Sequence, residues 1–135
     1  MAEPEEILKT KKTLALIGAS QDMLKYSCEL LFTLLDAGYA VYPINPRYEN
    51  IEQIRCYASL AELPQKPQVV IIALAPQNAE KMMESVAAHS ISTLWLPPGS
   101  WSEEAIAKAR AAGLEVLFNV CPIGTLRRMK EGKVP

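Results

Sequence analysis

Three consecutive stretches constrain this chain more than anything else in it. They are Thr13-Leu-Ala-Leu-Ile-Gly-Ala-Ser20, the amphipathic run that follows to Ala37, and the apolar run Tyr39-Ala-Val-Tyr-Pro-Ile-Asn45. An apolar run ending on Gly18, a helical pattern closed by Gly38 and a second β-type run read as strand, tight turn, helix, strand. That is a βαβ unit. In such units the first turn of the helix offers unpaired backbone N–H groups and the positive end of the helix dipole, a place where phosphates are held.

The rest of the chain repeats the alternation. Residues 3–12 carry mixed charge and are compatible with a short helix or an extended arm. The spacing of Leu30, Leu31, Leu34 and Leu35 predicts a helix over 25–37, with Ser27 or another early polar residue at its start. Asn45-Pro46 ends the second strand and reverses the chain. Residues 47–62 are irregular, with a short helical turn expected near 51–54, an extended piece at 56–58 and a loop marked by Pro64 and Pro67. Val69-Val-Ile-Ile-Ala73 is β-branched and apolar, and Pro76 suits the first turn of a helix running to about His89. Ser92-Thr-Leu-Trp-Leu96 is a fourth strand stopped by Pro97-Pro-Gly99. Ser102 before Glu103 and Glu104 starts a helix that ends at Gly113. Leu114-Glu-Val-Leu-Phe118 is a fifth strand, and a last helix follows Cys121-Pro122.

Five strands alternating with helices imply an α/β fold: a doubly wound, five-stranded parallel sheet flanked by helices, with an expected strand order of 3-2-1-4-5. At 135 residues the chain is expected to be a single domain, with a core over about 13–126 and no room for a separate substrate domain. In such a sheet ligands bind beyond the carboxyl ends of the strands, where the order reverses. Four loops are expected to converge there: 18–25, 45–48, 74–78 and 97–101.

Composition narrows the function. No segment approaches the roughly 20 apolar residues that span a bilayer. The acidic start Met1-Ala-Glu-Pro-Glu-Glu does not have the order of a secretory signal, so a cytoplasmic protein is expected. A formal net charge of −1 argues against a nucleic-acid partner. Cys28, Cys56 and Cys121 are odd in number and widely spaced, which fits reduced thiols. With His89 the only histidine, a histidine-rich metal site is excluded.

The turn after the first strand has one glycine of the three in a dinucleotide fingerprint, because Ser20 and Met23 stand at the later positions. The second strand ends in Asn45-Pro46-Arg47 where NAD enzymes place an acidic residue. A guanidinium there suits a further phosphate on the ribose, as in NADP or coenzyme A.

From about Thr13 to Leu126 the chain resembles the standalone coenzyme A-binding domain proteins, similar to the Rossmann-like N-terminal domain of the succinyl-CoA ligase α-subunit. Gly18-Ala-Ser-Gln21 looks like the phosphate loop of that family, and Asn45-Pro-Arg47 like its proline-plus-basic segment. Leu74-Ala-Pro76 looks like the loop on the adenine or pantetheine side, Leu96-Pro-Pro-Gly99 like its fourth-strand loop, and Asn119-Val-Cys-Pro122 is similar to its Asn-Cys-Pro motif. The resemblance implies binding of coenzyme A or an acyl-CoA. Gly18, Ala19 and Ser20 would hold the diphosphate, Arg47 the ribose 3′-phosphate, Pro46 would pack near the adenosine, and Lys25 is a further phosphate ligand. The phosphorylated histidine of the ligase lies in a second domain, and His89 falls outside every matching motif.

Each of these residues also has an ordinary reading. Gly18 suits any strand-to-helix turn, Arg47 and Lys25 suit a solvated surface, and Trp95 and Trp101 suit packing, although Trp101 is also placed to cover a ligand. Cys121, just before a helix start, is either an inert buried thiol or one able to form a mixed disulfide with the thiol of the coenzyme. No nucleophile elbow or paired-carboxylate signature emerges, so a non-catalytic sensor, carrier or regulatory module is expected. An NADP-linked oxidoreductase or redox-sensing domain is the alternative, and an interaction protein with a vestigial site is a second. A homodimer or an unidentified protein partner stays open.

Overall fold

The computed structural model describes residues 3–131. The stretch left open between helix and arm is a helix, α1 (Pro4–Thr10), with proline in its first turn. Ile7 and Leu8 are buried, and the Tyr39 hydroxyl donates to the Leu8 carbonyl at 2.6 Å, which ties α1 to the body of the protein. The βαβ unit follows as β1 (Thr13–Ile17), α2 (Tyr26–Asp36) and β2 (Ala40–Ile44). Beyond it lie β3 (Asn50–Ile51), β4 (Ile54–Arg55), a 3-10 turn (Leu60–Glu62) and β5 (Val69–Ile72). The chain continues with α3 (Pro76–Glu80), α4 (Met83–Ala88), β6 (Thr93–Leu96), α5 (Glu103–Ala111), β7 (Glu115–Phe118) and α6 (Pro122–Glu131).

The five long strands form one parallel sheet in the order β2-β1-β5-β6-β7. This corrects the expected order: the second strand lies at an edge, and the third long strand pairs with the opposite side of β1. Pro43 gives the physical reason. Its carbonyl accepts the Tyr57 N–H at 2.9 Å from outside the sheet, so the N–H that proline lacks falls on that outer side, where no full ladder has to form. Between them, β1 and β5 mark the reversal of strand order.

Two more expectations change. The helical turn near 51–54 is instead an antiparallel hairpin pairing Asn50 with Arg55 and Ile51 with Ile54. Glu52 takes φ 54° in the tight turn, and Ile51 is buried. Two isoleucines three residues apart suit one face of a helix as well as the facing positions of a two-residue turn, and tertiary burial decides between them. The helix expected over 76–89 divides into α3 and α4, with the Lys81 N–H bonded to Asn78 O and the Met82 N–H to Ala79 O. Those shorter-range bonds tighten the backbone at the junction.

Alternation along the strands splits the core. Leu14, Leu16, Val69, Ile71 and Trp95 face α1, α2 and α6, packing with Leu8, Leu30, Leu31, Leu34 and Ile123. Ala15, Ile17, Val70, Ile72, Leu94 and Leu96 face α3, α4 and α5, packing with Ala79, Met83, Val86, Ala105 and Ala109. Among the described residues no helix is long and apolar enough to cross a membrane.

Candidate functional site

At the carboxyl ends of β1 and β5 a crevice of about 720 Å³ opens. Its floor begins where the chain turns from β1 into the loop before α2. Gly18 has φ +92°, and a Cβ there would lie 2.6 Å from the Ala73 carbonyl oxygen. Only glycine allows the two strand ends to approach so closely in that conformation. Ala19 and Ser20 follow, both buried, and the Ser20 hydroxyl accepts the Asp22 N–H at 3.0 Å. The loop is held to its neighbour by Asn45, whose side-chain amide donates to Ala19 O at 2.9 Å while its Oδ1 accepts the Arg47 N–H at 2.9 Å. The turn after β2 is thereby fixed against the turn after β1.

The N-terminus of α2 points into this space. Lys25 is its cap residue, and the Lys25 carbonyl accepts the N–H groups of Cys28 and Glu29. Tyr26 and Ser27 stand in the first turn ahead of them, where helix N–H groups have no intrahelical acceptor. Two cations, Lys25 and Arg47, line the crevice, and no aspartate or glutamate does. The ion pairs among the described residues are Lys108 with Glu80 and Arg128 with Glu5, so neither cation at the crevice is neutralised by a carboxylate. A helix N-terminus with free N–H groups and two cations without carboxylate partners line the same crevice, features that suit an anion.

Of the residues singled out in the sequence, Gly18, Ala19, Ser20, Lys25, Asn45, Pro46, Arg47, Leu74 and Ala75 line the crevice. Gln21 and Pro76 do not. The Gln21 side chain reaches away to donate to Asn50 O at 2.8 Å, fastening the loop to the β3–β4 hairpin, and Pro76 opens α3. The expected contribution of loop 97–101 is also absent from the lining, because β6 lies on the far side of β5. Trp101 packs on Phe118, 5.6 Å between ring centroids, and not over the crevice. In its place the loop carrying Ala58, Ser59 and Leu60 closes the side next to Arg47.

Tyr48 and Asn78, at the ends of the expected loops 45–48 and 74–78, also line the space, as do Ser27, Met82 and Ser85, which no expected binding loop includes. Asn78, Met82 and Ser85 sit on α3, at the α3–α4 junction and on α4, and their i, i+4, i+7 spacing keeps them on one face across the junction. Ser27 had a signal, since its position in the first turn of α2 was legible. Beyond Arg47 a second space of about 620 Å³ continues between Tyr48, Asn50, Arg55 and Glu62.

Cys121 is not on the lining of the crevice. Its Sγ is 3.0 Å from the Tyr26 hydroxyl. Burial, followed by that hydrogen bond, pushes the Tyr26 phenol above its ordinary range. Burial likewise raises the thiols of Cys28 and Cys56. Among the described residues no group of three or more His, Cys, Asp or Glu is placed to hold a metal ion.

Comparison with known proteins places the geometry in a family. The family described as CoA binding domain matches residues 12–126. An ADP-forming acetate–CoA ligase II of Archaeoglobus fulgidus is 28% identical over 95 residues, which are 69% of this chain and 14% of the ligase. The chain thus spans about one seventh of that enzyme. The uncharacterized protein YneT of Bacillus subtilis is 25% identical over 120 residues, 89% of each chain. Among solved structures, a hypothetical protein from Pyrococcus horikoshii superposes with a TM-score of 0.88 at 31% identity, covering 94% of this chain and 89% of that one. The dinucleotide forming acetyl-coenzyme A synthetase 1 of Ca. Korarchaeum cryptofilum gives a TM-score of 0.73 at 25% identity, covering 84% of this chain and 27% of the synthetase.

Proposed function

We propose that this chain, which belongs to the CoA binding domain family, binds coenzyme A or an acyl-CoA in the crevice between β1 and β5. The observation that supports this most is the charge of the crevice: Lys25, the N-cap of α2, and Arg47 line it with no carboxylate among the lining residues. A dinucleotide with free ribose hydroxyls is best met by an acidic residue after the second strand, and Arg47 stands there. A ribose phosphate is best met by a guanidinium.

In this reading the backbone of Gly18, Ala19 and Ser20 holds the diphosphate with help from Lys25. Arg47 takes the 3′-phosphate, Pro46 packs near the adenosine, and Leu74 and Ala75 line the adenine or pantetheine side. The chain acts as a single-domain module without chemistry of its own, a sensor, carrier or regulatory subunit, alone, as a homodimer or with a protein partner. The large relatives join such a domain to further chain, and their ligase and synthetase activities belong to those whole proteins. A cytoplasmic setting suits the three cysteines, all of them free.

Calorimetric titration of the reduced protein with coenzyme A, 3′-dephospho-coenzyme A, NADP and NAD tests this. Coenzyme A is expected to bind most tightly, and removal of the 3′-phosphate or Arg47→Ala to weaken it about tenfold or more, as loss of a charge-assisted bond does. Binding of NADP without coenzyme A would replace this reading by an oxidoreductase or redox-sensing one. Binding of none of the four would leave an interaction protein with a vestigial site.

A further inference from the structure

Ser27 is the second residue of α2 and is 7% exposed, yet it lines the crevice. Its hydroxyl makes no hydrogen bond among the described residues. Every side-chain nitrogen or oxygen sealed from solvent there does have a partner, so Ser27 Oγ is not sealed, in a residue that lines the crevice. A serine buried to this degree with nothing to bond is costly unless a ligand or water completes it.

The neighbouring serine is different. Ser20 Oγ already accepts the Asp22 N–H within its own loop, while its proton stays free to donate. Ser27 Oγ is uncommitted, and it stands in the first helical turn beside backbone N–H groups without intrahelical acceptors. Lys25, two residues earlier, brings the positive charge.

We propose that Ser27 is a binding residue for the diphosphate of the ligand, its hydroxyl donating to a phosphate oxygen held at the N-terminus of α2. The proposal rests on the coenzyme A reading above and names one residue in it that the sequence motifs do not. Because the hydroxyl bonds nothing in the protein, its removal leaves the ligand-free fold intact. Its loss is felt when an anion is bound, where a hydrogen bond to a charged group is at stake.

Ser27→Ala tests this by calorimetry with coenzyme A, thermal melting of the ligand-free protein and phosphorus NMR of the bound coenzyme. The expected result is affinity lower by roughly tenfold or more, an unchanged melting midpoint, and altered diphosphate resonances with the 3′-phosphate resonance unmoved. Unchanged affinity and unchanged diphosphate resonances in a variant whose wild type binds coenzyme A would overturn the role of Ser27 alone. A lower melting midpoint without ligand, with all three phosphorus resonances shifted together, would overturn it in favour of a structural role. Failure of the wild type to bind coenzyme A at all would overturn the functional reading and this proposal with it.

Discussion

Gly18 concentrates the constraints on this molecule. Its N–H donates to Ile44 O at 3.0 Å, its φ is +92°, and the Ala73 carbonyl occupies the space a side chain would need. Gly18→Ala is therefore expected to cost about 2 kcal/mol or more, from backbone strain and overpacking together, read as a lower urea midpoint with the slope unchanged. Tyr26 makes a different kind of prediction. Its phenol is held neutral by burial and by Cys121, so its folded pKa lies above the unfolded value of 10.0. The resulting stability is fully present below pH 10 and is lost as pH rises above it, because the unfolded state then releases a proton that the folded state keeps. Tyr26→Phe is expected to flatten this alkaline decline in melts taken across that range. Tyr39, also raised by burial, keeps a share of the decline.

Among the elements, α5 begins as the sequence anticipates. The Ser102 hydroxyl accepts the Ala105 N–H at 3.0 Å, with Glu103 and Glu104 at the positive end of the dipole. Ser102→Ala is expected to lower stability by about 1 kcal/mol and to leave coenzyme A affinity unchanged, since α5 packs against β7, α3 and α4 and contributes nothing to the crevice lining. The strands were equally legible, because β1, β5, β6 and β7 are short β-branched or apolar runs bounded by glycine, proline or asparagine. The β3–β4 hairpin was not legible. Its strands are two residues long, its turn uses Glu52 in a left-handed conformation, and no asparagine–glycine pair announces it. What holds it is tertiary: Ile51 in the core, Gln21 on Asn50 O, and the Glu49 carbonyl accepting the Cys56 N–H at 2.9 Å.

For the whole molecule, the alternation of strands and helices gave the fold class, while the strand order depended on which side of β1 each neighbour chose. Pro43 was the signal for an edge at β2, and the order follows once its missing N–H is set against the sheet. The same asymmetry explains the site. Loops after β1, β2 and β5 meet because those strands are adjacent, so Gly18, Asn45, Arg47 and Leu74 were legible as a group, whereas loop 97–101 belongs one strand too far away. Ser59 joins from an irregular loop, for which sequence periodicity has no rule, while Met82 and Ser85 continue the helical face of Asn78 beyond the end of the expected loop 74–78.

Backbone hydrogen exchange with and without coenzyme A tests the central claim most directly, because it locates binding without altering a residue. The account predicts slowed exchange at residues 18–20, 26–27, 45–48, 58–60 and 73–75, with loop 97–101 and β7 unchanged. Protection confined to other surfaces, or none at saturating coenzyme A, would contradict it.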